Sequence, residues 1–469
     1  MTEKTQFQTI ADREVGLKRQ LTAGQMSMIA IGGAVGTGLF MGSSFAIGYA
    51  GPGVLISYGI GALISLLLMG CLAEMTVAHP TSGSFGAYAE YYVGPLAGFL
   101  VRYAYWAAVV LAVGTEVTAV AIYMKFWFPT VPGWIWIMSF SAALILVNAF
   151  SVKTFGHFEY WFSAIKVSAI IGFLILGAYL VFGSGSPQYG FHNYTVDNGL
   201  LPFGLSGVWV AVIIAIFSYL GIEMIAVAAG EAENAEVAVR KAFRATIVRL
   251  VIFYLATLTL ILAIVPWNQS GKGAQSPFVT VMQDLGIPGA SGVINFVILV
   301  AALSAMNSQF YTTTRMMFSL SRGGFAPRAM GKLSRNGVPL NALAVSCIGV
   351  AFATLVSIVM PDHSFTLMMA ISMFGALFTW VMIFYTHLRF RQYHSKHNKT
   401  LSFRMWGFPY ATLLGLALMV GVLVTTAFTP AFKMTLIFGV PFLLVLMLLY
   451  AVYVKRAAVQ VSPPQNVPS

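Results

Sequence analysis

Gly32-Gly33-Ala34-Val35-Gly36-Thr37-Gly38 interrupts the first long apolar stretch of the chain, at the depth where the centre of a bilayer would fall. Lipid offers no partner for an exposed N–H or C=O, so a helix breaks there only where the freed backbone faces protein, a ligand or a water-filled cavity. The run therefore marks a candidate binding site. Helix packing is the competing account, because Gly32/Gly36 and Gly38/Gly42 each form a small-x-x-x-small pair.

Around this break the chain reads as membrane throughout. Its 469 residues are 58% hydrophobic and 9% charged, with mean hydropathy +0.83, which leaves no length for an ordinary soluble domain. Apolar stretches of spanning length lie at 22–50, 53–78, 97–124, 133–150, 159–183, 205–229, 242–266, 289–320, 339–360, 364–387, 410–429 and 434–454, twelve in all. The sixth is interrupted like the first, at Phe217-Ser218-Tyr219-Leu220-Gly221-Ile222-Glu223. Five spans followed by five of opposite orientation, each set opening on a discontinuous helix, is the pattern of an inverted-repeat transporter with two appended helices. The expected organisation is a tail 1–20, repeats 21–183 and 205–387, an appended pair 410–454 and a tail 455–469.

The formal charge of +12 does not signal nucleic acid, because the bases sit in short loops between spans. Alternate loops hold Lys153; Arg240, Lys241, Arg244 and Arg249; Arg322, Arg328, Lys332 and Arg335; and Arg389, Arg391, Lys396, Lys399 and Arg404. The opposite loops hold Lys125, Lys272 and Lys433, an asymmetry that predicts cytoplasmic termini. Met1 to Gln20 lacks the apolar core and cleavage site of a signal peptide and reads as a cytoplasmic tail. Phe126-Trp127-Phe128 and Trp134 with Trp136 suit the membrane interface, ordinary core packing being the alternative for any one of them. Cys71 and Cys347 both lie in apolar segments and imply neither a disulfide framework nor a metal site. No nucleotide loop or catalytic constellation is visible, so neither cofactor nor enzymatic activity is expected. The seven histidines fall in or near loops, where solvated side chains are the default.

Gly36-Thr37-Gly38-Leu39-Phe40 with Gly42-Ser43, Ala50-Gly51-Pro52-Gly53, Leu72-Ala73-Glu74-Met75 and Pro80-Thr81-Ser82-Gly83-Ser84-Phe85 occur in the order of a known family. Ser151-Val152-Lys153, Phe158-Glu159-Tyr160-Trp161-Phe162, Ile165-Lys166, Phe217-Ser218-Tyr219 with Gly221 and Glu223, and Ala305-Met306-Asn307-Ser308 continue the match. On these motifs the chain resembles the amino acid transporter family of the amino acid–polyamine–organocation superfamily, which includes bacterial permeases for 4-aminobutyrate, proline, and aromatic or basic amino acids. One departure is Ala235, where the family usually has proline after Glu231-Ala232-Glu233-Asn234.

The resemblance implies an all-α, LeuT-like fold of twelve transmembrane helices, set in the bacterial cytoplasmic membrane. Unwinding at Val35 to Gly38 then leaves a short helix starting near Leu39, whose free N–H groups and positive dipole end can hold a carboxylate. By resemblance, the backbone of Ala34, Thr37 and Gly38 and the hydroxyl of Thr37 take the substrate's carboxyl group, with Val35 and Gly36 as further substrate-binding positions of the same break. Carbonyls around Ile216 to Leu220, at the negative end of the other half-helix, suit an ammonium group. Phe217 aligns with the family position where a ring closes over substrate, or is an ordinary core ring; Tyr219 and Leu220 are further pocket candidates.

Glu116, Lys166 and Glu223 lie well inside spans, where Lys or Asp costs roughly 2.5–3.5 kcal/mol, so each needs a partner or a cavity. Relatives on this fold that use sodium hold it between the first, fifth and eighth spans. In some amino acid permeases a fifth-span lysine stands there instead, and Lys166 aligns with it. A lysine so placed can lose and regain a proton as the site opens and closes, which makes protons the expected coupling ion; a static ion pair is the alternative. Glu223 links helices during gating by resemblance, whereas Glu116 lies near the pocket or pairs with Lys166. Glu74 and Arg315, near cytoplasmic ends, read as an inner gate or a structural pair. Asn307, Ser308 and Tyr311 line the pathway or make interhelical hydrogen bonds worth about 0.6 kcal/mol each. The expected function is proton-coupled uptake of a neutral or zwitterionic amino acid by alternating access. An exchanger of the same fold, or a channel or receptor that does not pump, is the alternative.

Overall fold

The computed structural model describes residues 7–8, 10, 12, 21–22, 24–25, 28–29, 33, 35–232, 235–271, 275–398 and 400–461, the side chains of 235–238, 240–250 and 453–461 excepted. Gly32 and Ala34 of the first break, most of the expected tail 1–20, Lys272, Lys399 and residues 462–469 lie outside the described residues, as do the side chains of Arg240, Lys241, Arg244 and Arg249.

Among the described residues the regular structure is helical, apart from an isolated bridge between Leu21 and Ala232. Ten helices there are long and apolar enough to cross a membrane. The expected twelve spans are reached because Gly38–Ala78 contains two of them, divided at Gly51–Gly53 where Gly51 takes φ +60°, and because Ala235–Ile264 carries the apolar seventh stretch Val251–Ile264. The third span is Pro95–Met124, the fourth Gly133–Phe150, the fifth Val152–Gly183 and the sixth Gly204–Glu231. The eighth is Ala290–Arg322, the ninth Leu340–Val359, the tenth Ser364–Lys396, the eleventh Tyr410–Phe428 and the twelfth begins at Pro430. The seventh helix starts at Ala235 rather than at 242, and the tenth continues past 387 to Lys396. Both run on as polar helix once the apolar stretch ends, because leaving the bilayer removes the need for apolar side chains but not the helical hydrogen bonds.

Local sequence sets the helix starts. Ser151 caps the fifth span, its Oγ accepting from Thr154 N at 3.0 Å, and Pro95 opens the third in the first turn, where its missing N–H costs nothing. Gly289 enters the eighth from a left-handed conformation. Phe126, Trp127, Phe128 and Trp134 are exposed at the junction of the third and fourth spans, as an interfacial belt requires.

The spans differ sharply in depth. The most apolar 18 residues are 89% buried in the sixth span and 78% in the third and tenth, against 22% in the fourth and fifth and 17% in the twelfth. The third, sixth and tenth therefore form the centre of the bundle, the first and eighth are largely enclosed beside them, and the fourth, fifth and twelfth are left mostly to lipid. Close approach depends on glycine: a Cβ on Gly375 would stand 2.1 Å from the Ala104 carbonyl oxygen, and one on Gly349 1.9 Å from that of Val110. Both contacts are with backbone of the third span, which cannot yield as a side chain does.

Gly349→Ala and Gly375→Ala are therefore expected to destabilise the protein by about 1–3 kcal/mol. Gly59→Ala, whose Cβ meets nothing within 4 Å, is the control. Thermal unfolding of the detergent-solubilised variants checks this; an undiminished Tm for Gly349→Ala and Gly375→Ala would show that the third span is not clamped as described.

Candidate functional site

The two breaks face each other. Val35 and Gly36 are non-helical, Thr37 is the N-cap, and a π-helical turn Gly38–Gly42 leads into Ser43–Ala50, so the half-helix starts one residue earlier than the expected Leu39. The sixth span stops at Tyr219: Leu220 has ψ 143°, Gly221 has φ +103°, and helix resumes at Met224. Gly38 lies directly on the second break, where a Cβ would stand 2.5 Å from Ser218 Cα, and Ser218 Oγ donates to the Gly38 carbonyl at 2.7 Å. Gly33 packs toward the Gly221 carbonyl on the other side. Only glycine lets two backbones meet this closely.

A chamber of about 40 Å³ lies between the breaks. Gly33, Gly36 and Gly38 of the first break and Phe217, Leu220 and Gly221 of the second line it, with Glu116, Glu223, Gln309 and Ser372 as polar walls. Ala108, Val109, Ala112 and Ala376 supply its apolar side. Such a space holds a few water molecules, not an amino acid.

Glu116 explains why the chamber is so small. Its Oε2 accepts the Thr37 backbone N–H at 3.3 Å, and its Oε1 lies 3.0 Å from where a Cβ of Gly36 would be. A carboxyl group of the protein thus sits on the Thr37 N–H at the positive end of the first half-helix. Lys166, fully buried, donates to the Val35 carbonyl at 3.0 Å and to Ser304 Oγ of the eighth span at 2.8 Å. Its ammonium stands at the junction of the first, fifth and eighth spans and satisfies a carbonyl that the break sets free.

The second break is held in a different way. Glu223 accepts the Tyr105 hydroxyl of the third span at 2.7 Å and the Gly221 N–H at 3.1 Å, so it caps its own break and ties it to a neighbouring helix. The Ile216 and Phe217 carbonyls accept from Leu220 N at 3.0 and 3.3 Å, and the Ser218 carbonyl accepts the Tyr254 hydroxyl at 2.8 Å. Tyr219, expected at the side-chain pocket, turns away from the chamber: its hydroxyl donates to the Tyr58 carbonyl and its ring packs on Tyr58 and Tyr254. Ile216, Val35 and Thr37 are buried behind the chamber wall rather than lining it, and Ala34 lies outside the described residues.

Of the eighth-span candidates, Asn307 and Tyr311 make interhelical hydrogen bonds. Asn307 accepts from Asn148 at 2.8 Å and donates to Glu159 at 3.0 Å; Tyr311 donates to Glu231 at 2.8 Å. Ser308 packs near Gly33, and its neighbour Gln309 is the one that lines the chamber. Glu74 and Arg315 do not pair with each other. Arg315 makes a two-point bond to Glu231, with Nε at 2.7 Å and Nη2 at 3.3 Å, whereas Glu74 binds His387 at 3.1 Å, Arg391 at 2.6 Å and the Met405 N–H at 2.8 Å. His387 is therefore fully buried inside the tenth span, contrary to the expectation of a solvated histidine. A buried carboxylate across 313 residues of sequence supplied the partner that made this possible.

Sequence reasoning passed over Glu159, Glu231, Gln309, Tyr105 and Ser372. Glu159 was detectable, since Glu159, Ser163 and Lys166 recur at helical spacing on one face of the fifth span. The others become visible only when the helices are brought together.

The amino acid permease family matches residues 25–463. An amino acid permease of Bacillus subtilis (strain 168), YtnA, described as uncharacterized, is 39% identical over 438 residues, covering 92% of this chain and 94% of its own length. A gamma-aminobutyric acid permease of the same organism is 38% identical over 444 residues, 94% of each chain. The aromatic amino acid transport protein AroP of Escherichia coli (strain K12) is 37% identical over 415 residues, 88% of this chain and 91% of its own. Matches of this extent, on a helical bundle broken where such transporters are broken, make the chain a member of the amino acid permease family of the amino acid–polyamine–organocation superfamily, a multi-pass membrane transporter and not an enzyme.

Proposed function

We propose that this permease imports an amino acid with an uncharged side chain across the bacterial cytoplasmic membrane by alternating access, together with protons. The Glu116 carboxylate on the Thr37 N–H carries this reading. The positive end of a half-helix binds one carboxylate at a time, so a substrate's carboxyl group enters by replacing that of Glu116. Released from that N–H into a chamber enclosed within the protein, Glu116 is stabilised by taking a proton. Substrate and proton then bind together. The substrate's ammonium group faces the Ile216 and Phe217 carbonyls at the opposite half-helix end, and Phe217 closes over the chamber. Leu220 and Gly36 complete the walls, with Val35 and Ile216 behind them.

Lys166 supplies a fixed positive charge at the place where a sodium ion would otherwise sit, and as a proton carrier it returns the site to its starting state. The repeats 21–183 and 205–387 rock against each other around the two breaks, with 410–454 as the appended pair and both termini cytoplasmic. Glu231–Arg315 and Glu74–His387–Arg391 lie toward the cytoplasmic ends of their helices and close that side. Among the described residues both chamber carboxylates are engaged by donors of the protein, which disfavours a dibasic side chain. The relatives named for gamma-aminobutyric acid and for aromatic amino acids agree with an uncharged substrate.

Uptake of a labelled substrate into cells expressing the protein, competed by the twenty standard amino acids and 4-aminobutyrate, identifies the class. Neutral compounds are expected to compete and lysine and arginine to fail; strongest competition by a basic amino acid would overturn the assignment. In proteoliposomes with an imposed pH gradient, Lys166→Gln is expected to lose accumulation by about tenfold or more. Undiminished pH-driven accumulation by Lys166→Gln would remove the proton role of this lysine.

A further inference from the structure

Glu159 is fully buried in the fifth span, seven residues and roughly 10 Å of helix before Lys166. A carboxylate in that position is costly unless it is paired or functional. Its hydrogen bonds share one direction. Lys166 Nζ donates to Ser304 Oγ at 2.8 Å, and Ser304 Oγ in turn donates to Glu159 Oε1. From the other side Asn148 Nδ2 donates to Asn307 Oδ1 at 2.8 Å, and Asn307 Nδ2 donates to Glu159 Oε2 at 3.0 Å. Ser163 Oγ, 3.4 Å from Oε1, donates to the Met28 carbonyl at 3.0 Å and links the group to the first span. Among the described residues, the charged groups facing this cluster are Lys166 from the same helix and Glu116 from the third span. The eighth and fourth spans contribute Ser304, Asn307, Ser308 and Asn148, all uncharged.

We propose that Glu159 is the internal proton acceptor of Lys166, reached through the Ser304 hydroxyl. The proposal rests on the proton reading of Lys166 and adds the group to which that lysine gives its proton. In the step, an Nζ–H bond of Lys166 breaks as its proton moves to Ser304 Oγ, while the proton that Ser304 already carries passes to Glu159 Oε1. Lys166 is left as a neutral amine, Glu159 as a neutral acid, and the Ser304 hydroxyl is re-formed. The pair has no net charge before or after the shift, so the proton moves without leaving an uncompensated charge in a low-dielectric interior. The Val35 carbonyl then keeps only a neutral amine donor in place of the ammonium, a weaker bond, which loosens the first break at the moment of release. Glu159 passes its proton to water when its side of the bundle opens, and Lys166 is reprotonated from the opposite side, where its charged neighbour Glu116 lines the chamber.

The test uses purified full-length protein in proteoliposomes, with an internal pH dye and a labelled amino acid that the protein transports. Two quantities are read: accumulation driven by a pH gradient, and exchange against internal substrate without a gradient. Glu159→Gln and Ser304→Ala are expected to lower the ratio of accumulation to exchange by about tenfold or more, with a matching loss of the internal acidification signal. Ser304→Thr, which keeps the hydroxyl, is expected to restore both. Wild-type ratios in Glu159→Gln and Ser304→Ala, with Lys166→Gln uncoupled, would overturn the relay and leave the lysine's role standing. A coupled Lys166→Gln would instead remove the reading beneath it. Equal loss of accumulation and exchange in Ser304→Ala would also overturn the relay, since a static lock between helices gives that result.

Discussion

A backbone laid open at the middle of a bilayer has to find its hydrogen-bond partners inside the protein, and every functional feature of this molecule follows from how it does so. At the first break the carbonyl of Val35 takes an ammonium and the N–H of Thr37 takes a carboxylate, both from other spans. At the second, Glu223 caps Gly221 from within the same helix and is steadied by Tyr105. The partners are ionisable, and in the proposed cycle they are exchanged for those of a zwitterion. A break satisfied by neutral side chains would be as stable and would have no reason to respond to substrate or protons.

The packing serves the same end. Gly38 against Ser218 brings the two breaks into backbone contact, while Gly375 and Gly349 hold the tenth and ninth spans against the third, the helix that carries both Glu116 and Tyr105. A displacement of the Glu116 carboxylate is thus felt by a helix clamped from two sides. The buried pairs farther along, Glu231 with Arg315 and Glu74 with His387 and Arg391, each join segments far apart in sequence. A buried ion pair of this kind adds little net stability but is costly to break by halves, which suits contacts that open and close as units.

Much of this was legible in the chain itself. The clustered glycines at 32–38, the polar interruption at 217–223 and the apolar periodicity set the helices, their count and the position of the chamber, because these signals are local and the bilayer admits few alternatives. The family motifs added the role proposed for the breaks. What sequence did not reveal were pairings between helices: that Glu116 reaches Thr37, that Asn307 serves Glu159 rather than the chamber, that Tyr219 turns to Tyr58 and Tyr254, and that His387 has a carboxylate waiting in the second span. Each depends on which faces of distant helices meet, and a helical wheel drawn for one span cannot say.

The central claim is that the positive end of the first half-helix is a carboxylate site, held by Glu116 until a substrate replaces it. Competition of a transported amino acid by its own methyl ester, measured as binding to the purified protein in detergent, tests this most directly. Loss of the charged oxygens is predicted to weaken binding about 10- to 100-fold, the worth of one hydrogen bond to a charged group. A methyl ester that competes as well as the free acid would contradict the account, because the broken first helix would then have no part in recognising the substrate.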